Sequence, residues 1–146
     1  MKSIEHLGGK ALTRDELSRV EADTGLSVPS RLASLLTSQP LVGLTFLLHE
    51  NIDESGLGGE FKWMTVEQII DESTNAWPGI AAARRGLLPV GICLEGSGDP
   101  YFLRLEDGAL VRVPHDAVIE GDLAPKRVEL VAASLAALID LAEITG

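Results

Sequence analysis

The chain has 146 residues, 45% of them hydrophobic, and 22 acidic side chains against 12 basic ones give a formal net charge of −10. A chain of this length forms one domain, residues 1–146, because a second core would leave each half too small to be stable. The negative charge repels nucleic-acid phosphates and anionic membrane surfaces, so we expect neither as a partner. The same charge either suits a cationic protein partner or only keeps the protein in solution.

The cysteine content and the lack of long apolar segments predict a cytoplasmic protein. The single cysteine, Cys93, cannot form an intramolecular disulfide, and its apolar run, residues 88–94, predicts a buried thiol in a reducing compartment. No apolar signal-peptide core follows the first residues, and no run approaches the roughly 18 apolar residues of a membrane span.

Two helices are predicted before Pro40. Thr13 and Glu16 have the spacing of a capping box, in which a hydroxyl and a carboxylate bond the free amides at a helix start. This helix is predicted to end near Gly25, since glycine readily takes the left-handed conformation that terminates helices. Pro29 suits the first turn of a second helix because it has no amide to leave unpaired, and Pro40 ends that helix.

An apolar strand and an acidic loop are predicted next. Residues 41–48 are too short and too continuously apolar for an amphipathic helix, and their Val, Thr and Phe content favours a buried strand. Residues 49–60 contain three glycines, four acidic side chains and no Lys or Arg. We therefore expect a mobile surface loop there.

A third helix and the two tryptophans follow. Thr65 and Gln68 form a second capping box, and the helix that they begin is predicted to run to about Ser73. Aromatic residues make up only 4% of the chain. We therefore assign both Trp63 and Trp77 to the core rather than to an exposed binding surface.

Three short strands are predicted after Trp77, at residues 88–94, 101–105 and 110–113. Turns rich in Gly and Asp separate them, which is typical of an antiparallel meander. The connections are too short for the crossovers that parallel strands need. The side chains of the first strand that we expect in the core are Val90, Ile92 and Cys93.

A last helix completes the predicted fold. Ser134 can cap a helix that runs almost to Gly146. Four apolar residues share one face of this helix: Leu135, Leu138, Ile139 and Ala142. The order of elements predicts an α+β fold, in which about four helices cover one face of a mostly antiparallel sheet.

Candidate catalytic and ligand-binding residues are few. Cys93, His115 and Asp116 are the residue types of a thiol hydrolase, but a thiol in the middle of an apolar strand is poorly placed for a substrate. The three histidines lack the spacing of a zinc site, and the turn at 96–99 lacks the Lys-Ser/Thr ending of a phosphate-binding loop. We therefore expect no enzyme activity, no bound metal and no cofactor.

An acidic rim is the predicted partner-binding surface. No Lys or Arg lies between Leu32 and Phe61, or between Gly86 and Leu103. If the loop 49–60 and the turn at Gly96 lie at one end of the sheet, six carboxylates form this rim: Glu50, Asp53, Glu54, Glu60, Glu95 and Asp99. A rim of this charge would suit a basic active site on another protein.

Several segments together resemble the SUKH superfamily, which includes yeast cell-wall assembly regulators and bacterial immunity proteins. The most specific run has an apolar-Pro-apolar-Gly strand, a glycine-rich turn closed by Asp, an aromatic strand and a further strand: Leu88-Pro89-Val90-Gly91, Gly96-Ser97-Gly98-Asp99, Tyr101-Phe102-Leu103 and Leu110-Val111. Weaker matches are residues 4–29, 63–69 and 134–139. One departure is Ser38-Gln39-Pro40, which stands where the family usually has Asn-Gly-Gly.

The resemblance implies an SUKH-like, non-enzymatic domain that binds proteins. In bacteria such a domain is commonly an immunity protein that covers the active site of a cognate toxin, often a nuclease. A regulatory or scaffolding module that binds an endogenous protein is the alternative hypothesis. A small hydrolase that uses Cys93 is the third.

Overall fold

Five α-helices and nine β-strands alternate irregularly along the chain, and a computed structural model describes all of residues 1–146. The α-helices are α1 (Arg14–Thr24), α2 (Ser30–Ser38), α3 (Val66–Asn75), α4 (Gly79–Ala83) and α5 (Leu135–Leu141). The β-strands are β1 (Thr45–Leu48), β2 (Gly59–Trp63), β3 (Leu87–Cys93), β4 (Tyr101–Arg104), β5 (Leu110–Arg112), β6 (Val118–Ile119), β7 (Asp122–Leu123), β8 (Glu129–Ala132) and β9 (Glu143–Thr145). No helix combines the length and the apolar character that a bilayer crossing requires.

The first three helices begin where the capping residues predict. The Thr13 hydroxyl accepts the backbone N–H of Glu16, and the Glu16 carboxylate accepts the backbone N–H of Thr13, both at 3.0 Å. Thr65 makes the same reciprocal pair with its third helical residue at the start of α3. Gly25 ends α1 with a φ of +75°, and α2 begins directly after Pro29. The predicted starts of these three helices are confirmed.

Seven strands form one antiparallel sheet that curls into a half-barrel. Their order across the sheet is β8-β5-β4-β3-β2-β1-β9, and β3, β4 and β5 pair in sequence as the predicted meander. The strands β6 and β7 form a separate ribbon. The predicted α+β fold with a mostly antiparallel sheet is confirmed.

The larger hydrophobic cluster, of 29 buried residues, joins the sheet to four of the helices. Helices α1, α2, α3 and α5 each contribute buried side chains, for example Val20, Leu36, Ile69 and Leu138. The sheet contributes a row of stacked aromatic rings. The ring centres of Phe46 and Phe61 lie 5.3 Å apart, and those of Phe61 and Tyr101 lie 4.5 Å apart. These rings belong to β1, β2 and β4, and the pair of Phe61 and Tyr101 reaches across β3, so the stack ties four neighbouring strands together.

A smaller cluster of 8 buried residues lies on the opposite face of β3, β4 and β5. Phe102 belongs to it, whereas Tyr101 and Leu103 belong to the larger cluster, as side-chain alternation in a strand requires. The elements that cover this second face contribute Ala81 and Ala82 from α4 and Ala117 and Leu123 from the segment after β5. Helix α4 was not predicted from the sequence, because it has only five residues.

A β-bulge in β3 changes the side-chain alternation predicted for this strand. The register with β4 shifts between Pro89 and Gly91, and beyond the shift Ile92 lies opposite the exposed Lys62 of β2. Ile92 and Cys93 are only half-buried. Val90 is buried as predicted, whereas Ile92 and Cys93 are core residues only in part: both pack against the larger cluster, but they lie at its edge, beyond the bulge and at the end of the strand.

Two predicted elements are shorter in the structure. The strand β1 begins at Thr45, since a turn precedes it in which the backbone N–H of Leu44 donates to the Leu41 carbonyl at 3.0 Å. The last helix ends at Leu141 and does not reach the end of the chain. Ala142 is extended, and the next three residues pair with β1 as β9.

The two tryptophans differ in burial. Trp63 is buried in the larger cluster, as predicted, but Trp77 is 48% exposed. Trp77 lies in the connection between α3 and α4, and the two residues that follow it, Pro78 and Gly79, are buried. The assignment of Trp77 to the core is therefore wrong, because these two residues occupy the inner side of the chain at this point.

Replacing Gly91 with alanine should destabilise the fold. A Cβ at Gly91 would lie 2.5 Å from Phe61 Cδ2 and 2.9 Å from Tyr101 Cβ. Because overpacking a core costs about 1–3 kcal/mol, we expect Gly91→Ala to lower the free energy of unfolding by that amount, as measured by urea denaturation. Gly96→Ala is the control, since a Cβ there would meet nothing within 4 Å. Equal effects of the two substitutions would contradict the prediction.

Candidate functional site

Two connections that the sequence assigned to the acidic rim lie side by side at one end of the sheet. Residues 49–58 join β1 to β2, and residues 94–100 join β3 to β4. Leu57 of the first connection lines an open cleft of about 680 Å³ together with Ser97 and Asp99 of the second. The condition on which the rim was predicted, that both connections share one end of the sheet, is therefore met.

Arg112 is a buried cation at this end of the sheet. Alternation along β5 places it on the same face as Leu110, and its side chain is 6% exposed. Five groups accept its hydrogen bonds: Asp53 Oδ2 at 2.8 Å, the Gly58 carbonyl at 3.0 Å, Tyr101 Oη at 3.0 Å, Ser55 Oγ at 3.1 Å and Glu129 Oε1 at 3.3 Å. The guanidinium carbon also lies 4.9 Å from the centre of the Tyr101 ring, within the range of a cation–π interaction.

Asp53 is a buried part of this network and not a surface carboxylate. Its side chain has no exposed area, and its Oδ1 accepts the backbone N–H and the hydroxyl of Ser55 at 2.8 Å and 2.7 Å. The prediction that Asp53 belongs to an exposed rim is wrong, because Arg112 draws the carboxylate inward. The backbone N–H of Glu54 also donates to the Val131 carbonyl of β8 at 2.9 Å. The middle of the expected surface loop is thus anchored to β5 and β8.

The protonation states of this network follow from its burial and its hydrogen bonds. Burial by itself lowers the pKa of Arg112, but hydrogen bonds with Asp53 and Tyr101 outweigh it and raise that pKa, so the guanidinium stays charged. Burial raises the pKa of Tyr101, and the hydrogen bond from Arg112 offsets this only in part. Since Asp53 and Glu129 both face one guanidinium, the network adds no free positive charge to this end of the sheet.

Asp99 holds the turn after β3 to the segment after β5. Its Oδ1 accepts the backbone N–H of His115 at 3.1 Å and lies 2.7 Å from His115 Nδ1. The Asp99 side chain is largely covered, at 19% exposed. Asp99 therefore lies at the predicted rim, but its carboxylate is already engaged within the chain.

Four carboxylates of the predicted rim make no ion pair within the chain, and we name them the rim glutamates: Glu50, Glu54, Glu60 and Glu95. Three of them are exposed, and Glu60, which lies in β2 rather than in a loop, is half-buried. Glu50 and Glu95 line a second open cleft, of about 550 Å³. Two of the four unpaired charges, those of Glu50 and Glu95, therefore lie where the two connections meet.

The three residues considered for a thiol hydrolase have separate hydrogen-bond and ion-pair partners. His115 pairs with Asp99, and Asp116 lies 3.6 Å from Arg127. Cys93 Sγ lies 3.6 Å from Ser97 Oγ and 3.7 Å from the Glu95 carbonyl oxygen. No three His, Cys, Asp or Glu side chains form a group that could hold a metal ion.

Sequence reasoning missed Arg112 and Tyr101 as the centre of this end of the sheet. The available signal was an arginine inside the apolar run Leu110-Val111-Arg112-Val113, since a buried charge must be paired. Its partner Asp53 lies 59 residues away along the chain. No sequence spacing could connect the two, because only the folded sheet brings them together.

Comparison of the chain with models of known protein families finds no match, and comparison with curated proteins finds none. The resemblance to the SUKH superfamily therefore stays a prediction from the residues that carry it.

Removing the partner of Arg112 should strongly destabilise the protein. Asp53→Ala leaves a buried cation with one half-exposed carboxylate, and breaking a buried ion pair costs about 3–5 kcal/mol. We expect a loss of that size in urea denaturation, and a smaller loss for Asp53→Ala combined with Arg112→Met, because the double variant leaves no unpaired charge. Glu54→Ala, one residue along the chain at an exposed position, is the matched control. Two single variants of equal stability would contradict the buried pair.

The pKa of the Tyr101 hydroxyl should lie above the ordinary pKa of a tyrosine. Tyr101 is the only tyrosine in the chain, so the absorbance of the phenolate reports on it alone. We expect a midpoint above the usual pKa of about 10 in the native protein and near that value in urea. Because the folded pKa is the higher one, this group contributes stability that is complete below about pH 10 and is lost as the pH rises through the folded pKa. A native midpoint at or below the denatured one would refute the burial effect.

Proposed function

We propose that this chain is a non-enzymatic protein-binding domain, and that it acts as an immunity protein that neutralises a basic toxin domain. The observation that carries the proposal is the group of rim glutamates, whose charges are unpaired and which lie on the two connections and on β2 at one end of the sheet. The resemblance to the SUKH superfamily supports the same function. The proposal places the protein in the cytoplasm, where its target would act.

Unpaired carboxylates favour a cationic partner for two reasons. Complementary charge raises the rate of encounter, and it penalises partners of like charge by several kcal/mol when charges are brought together. A toxin that acts on nucleic acid needs a positive surface to bind phosphates. An acidic protein that covers such a surface would exclude the substrate, which neutralises the toxin without any chemistry.

The anchoring of the acidic connection also favours binding. The hydrogen bonds of Asp53 and the backbone bond from Glu54 to β8 hold this connection in place before a partner arrives. A surface that is ordered in advance loses less conformational entropy on association. The rim glutamates are thus presented in a fixed arrangement, as a specific interface requires.

The direct test uses the protein encoded next to the gene for this chain. We expect that protein to be toxic when expressed alone, to lose its toxicity when this chain is co-expressed, and to form a stable complex with it. A neighbouring product that is neither toxic nor bound would overturn the immunity proposal and would favour the alternative, a regulatory or scaffolding module for an endogenous protein.

Rim charges should set the association rate of that complex. We expect the triple variant Glu50→Gln, Glu54→Gln and Glu95→Gln to associate more slowly and to lose most of its salt dependence, measured by stopped-flow fluorescence at low salt and at physiological salt, where screening shortens to about 8 Å. The control removes three exposed, unpaired carboxylates elsewhere: Glu5→Gln, Asp71→Asn and Glu120→Gln. Both variants change the formal charge from −10 to −7. Equal rates for the two would show that only net charge matters.

A further inference from the structure

We infer that the centre of the partner interface is an apolar patch on the outer face of the sheet, beside the rim glutamates. Leu47, Leu57 and Leu94 form this leucine patch. The occupant that it fits is a protein surface on which an aliphatic or aromatic side chain is flanked by Lys or Arg. This inference rests on the proposed function, and it names the surface and the chemistry of the partner.

Strand register places two of these leucines in one row. Leu47 of β1 lies opposite Glu60 of β2. Leu94 continues β3 on the other side of Glu60, and its backbone N–H donates to the Glu60 carbonyl at 2.9 Å. The adjacent Phe46 and Phe61 are fully buried in the larger cluster, so alternation directs the row to the opposite, outer face.

The third leucine, Leu57, belongs to the connection between β1 and β2 and lies beside Leu47. Leu57 lines the cleft of about 550 Å³ together with Leu47, Glu50 and Glu95. Leu57 is 61% exposed and Leu94 is 49% exposed, which is high for leucine. Single exposed leucines are ordinary, but a group of them at one end of a sheet, two in one row and one in the adjoining cleft, is of the kind that marks interaction sites.

The charges around the leucine patch specify its partner. Glu60 lies between Leu47 and Leu94 in the row, Glu50 and Glu95 lie beside it, and none of the three makes an ion pair within the chain. Lys62, two residues from Glu60 along β2, lies opposite Ile92 in the next row. An apolar centre bordered by unpaired carboxylates matches an apolar side chain bordered by Lys or Arg, as in interfaces that have an apolar core and a charged rim.

A second copy of this chain would not fit the same surface. Two leucine patches in contact would bring the surrounding carboxylates of both copies together, and like charges that face each other at an interface destabilise it. The occupant is therefore a different, cationic protein. The leucine patch would supply the desolvated centre of that contact, and the rim glutamates would steer and orient it.

Titration with short peptides tests this chemistry without the natural partner. We expect acetyl-Lys-Leu-Lys-Leu-Lys-amide to shift the methyl NMR signals of Leu47, Leu57 and Leu94 and to bind at least about tenfold more tightly than acetyl-Lys-Ser-Lys-Ser-Lys-amide, which carries the same charge. Acetyl-Glu-Leu-Glu-Leu-Glu-amide should not bind there. Shifts at other methyl groups instead, no binding, or equal binding of the two cationic peptides would overturn the inference.

Substitutions separate this inference from the proposed function. Leu57→Ser with Leu94→Ser should abolish the preference for the leucine peptide, whereas Ile119→Ser with Leu141→Ser, at other exposed positions, should not. If the leucine substitutions leave binding of the toxin partner unchanged while the rim triple variant weakens it, the proposed function stands and the leucine patch is refuted. A dimer of the free protein that the leucine substitutions dissociate would also refute a cationic partner at this site.

Discussion

A guanidinium group that is buried away from water needs acceptors for its hydrogen bonds and a countercharge. The buried guanidinium of Arg112 is such a group, and the residues at one end of the sheet are arranged to supply both. Its strand places it on the core face of the sheet, beside the ring of Tyr101. The countercharges and the other acceptors come from the connection between β1 and β2, from β8 and from the Tyr101 hydroxyl of β4. The position of that connection therefore follows from satisfying one buried charge.

The same constraint shapes the surface on which the proposed function depends. One acidic residue of the connection, Asp53, is buried in the ion pair with Arg112. The nearby Glu50 and Glu54 are exposed to solvent and make no ion pair. Gly59 permits this arrangement, because a Cβ there would collide with the Tyr101 hydroxyl. Burial of one carboxylate thus fixes how the others are presented, and a fixed acidic surface is better suited to specific binding than a loose one.

The character of the proposed binding surface also depends on which side chains the half-barrel directs to its inner face and which to its outer face. Phe46 and Phe61 fill the inner side, so their strand neighbours Leu47 and Glu60 are directed outward. The bulge in β3 leaves Ile92 half-buried, opposite Lys62 and at the edge of the larger cluster. Strand pairing then sets Leu47 and Leu94 on either side of one glutamate. The apolar and acidic character of this face is a consequence of register, and register is set by the packing of the core.

The sequence by itself determined the elements whose causes are local: the capped starts of α1 and α3, the end of α1 at Gly25, the antiparallel meander and the α+β class. It also located the acidic connections that meet at one end of the sheet. Only the tertiary structure decided which of their carboxylates are free, since Asp53 pairs with a residue 59 positions away. Likewise, β9 needed β1 as its partner, and Trp77 was left exposed by the packing around it. Local patterns report hydrogen bonds within a few residues, whereas burial and ion pairing depend on contacts that exist only once the sheet has closed around its core.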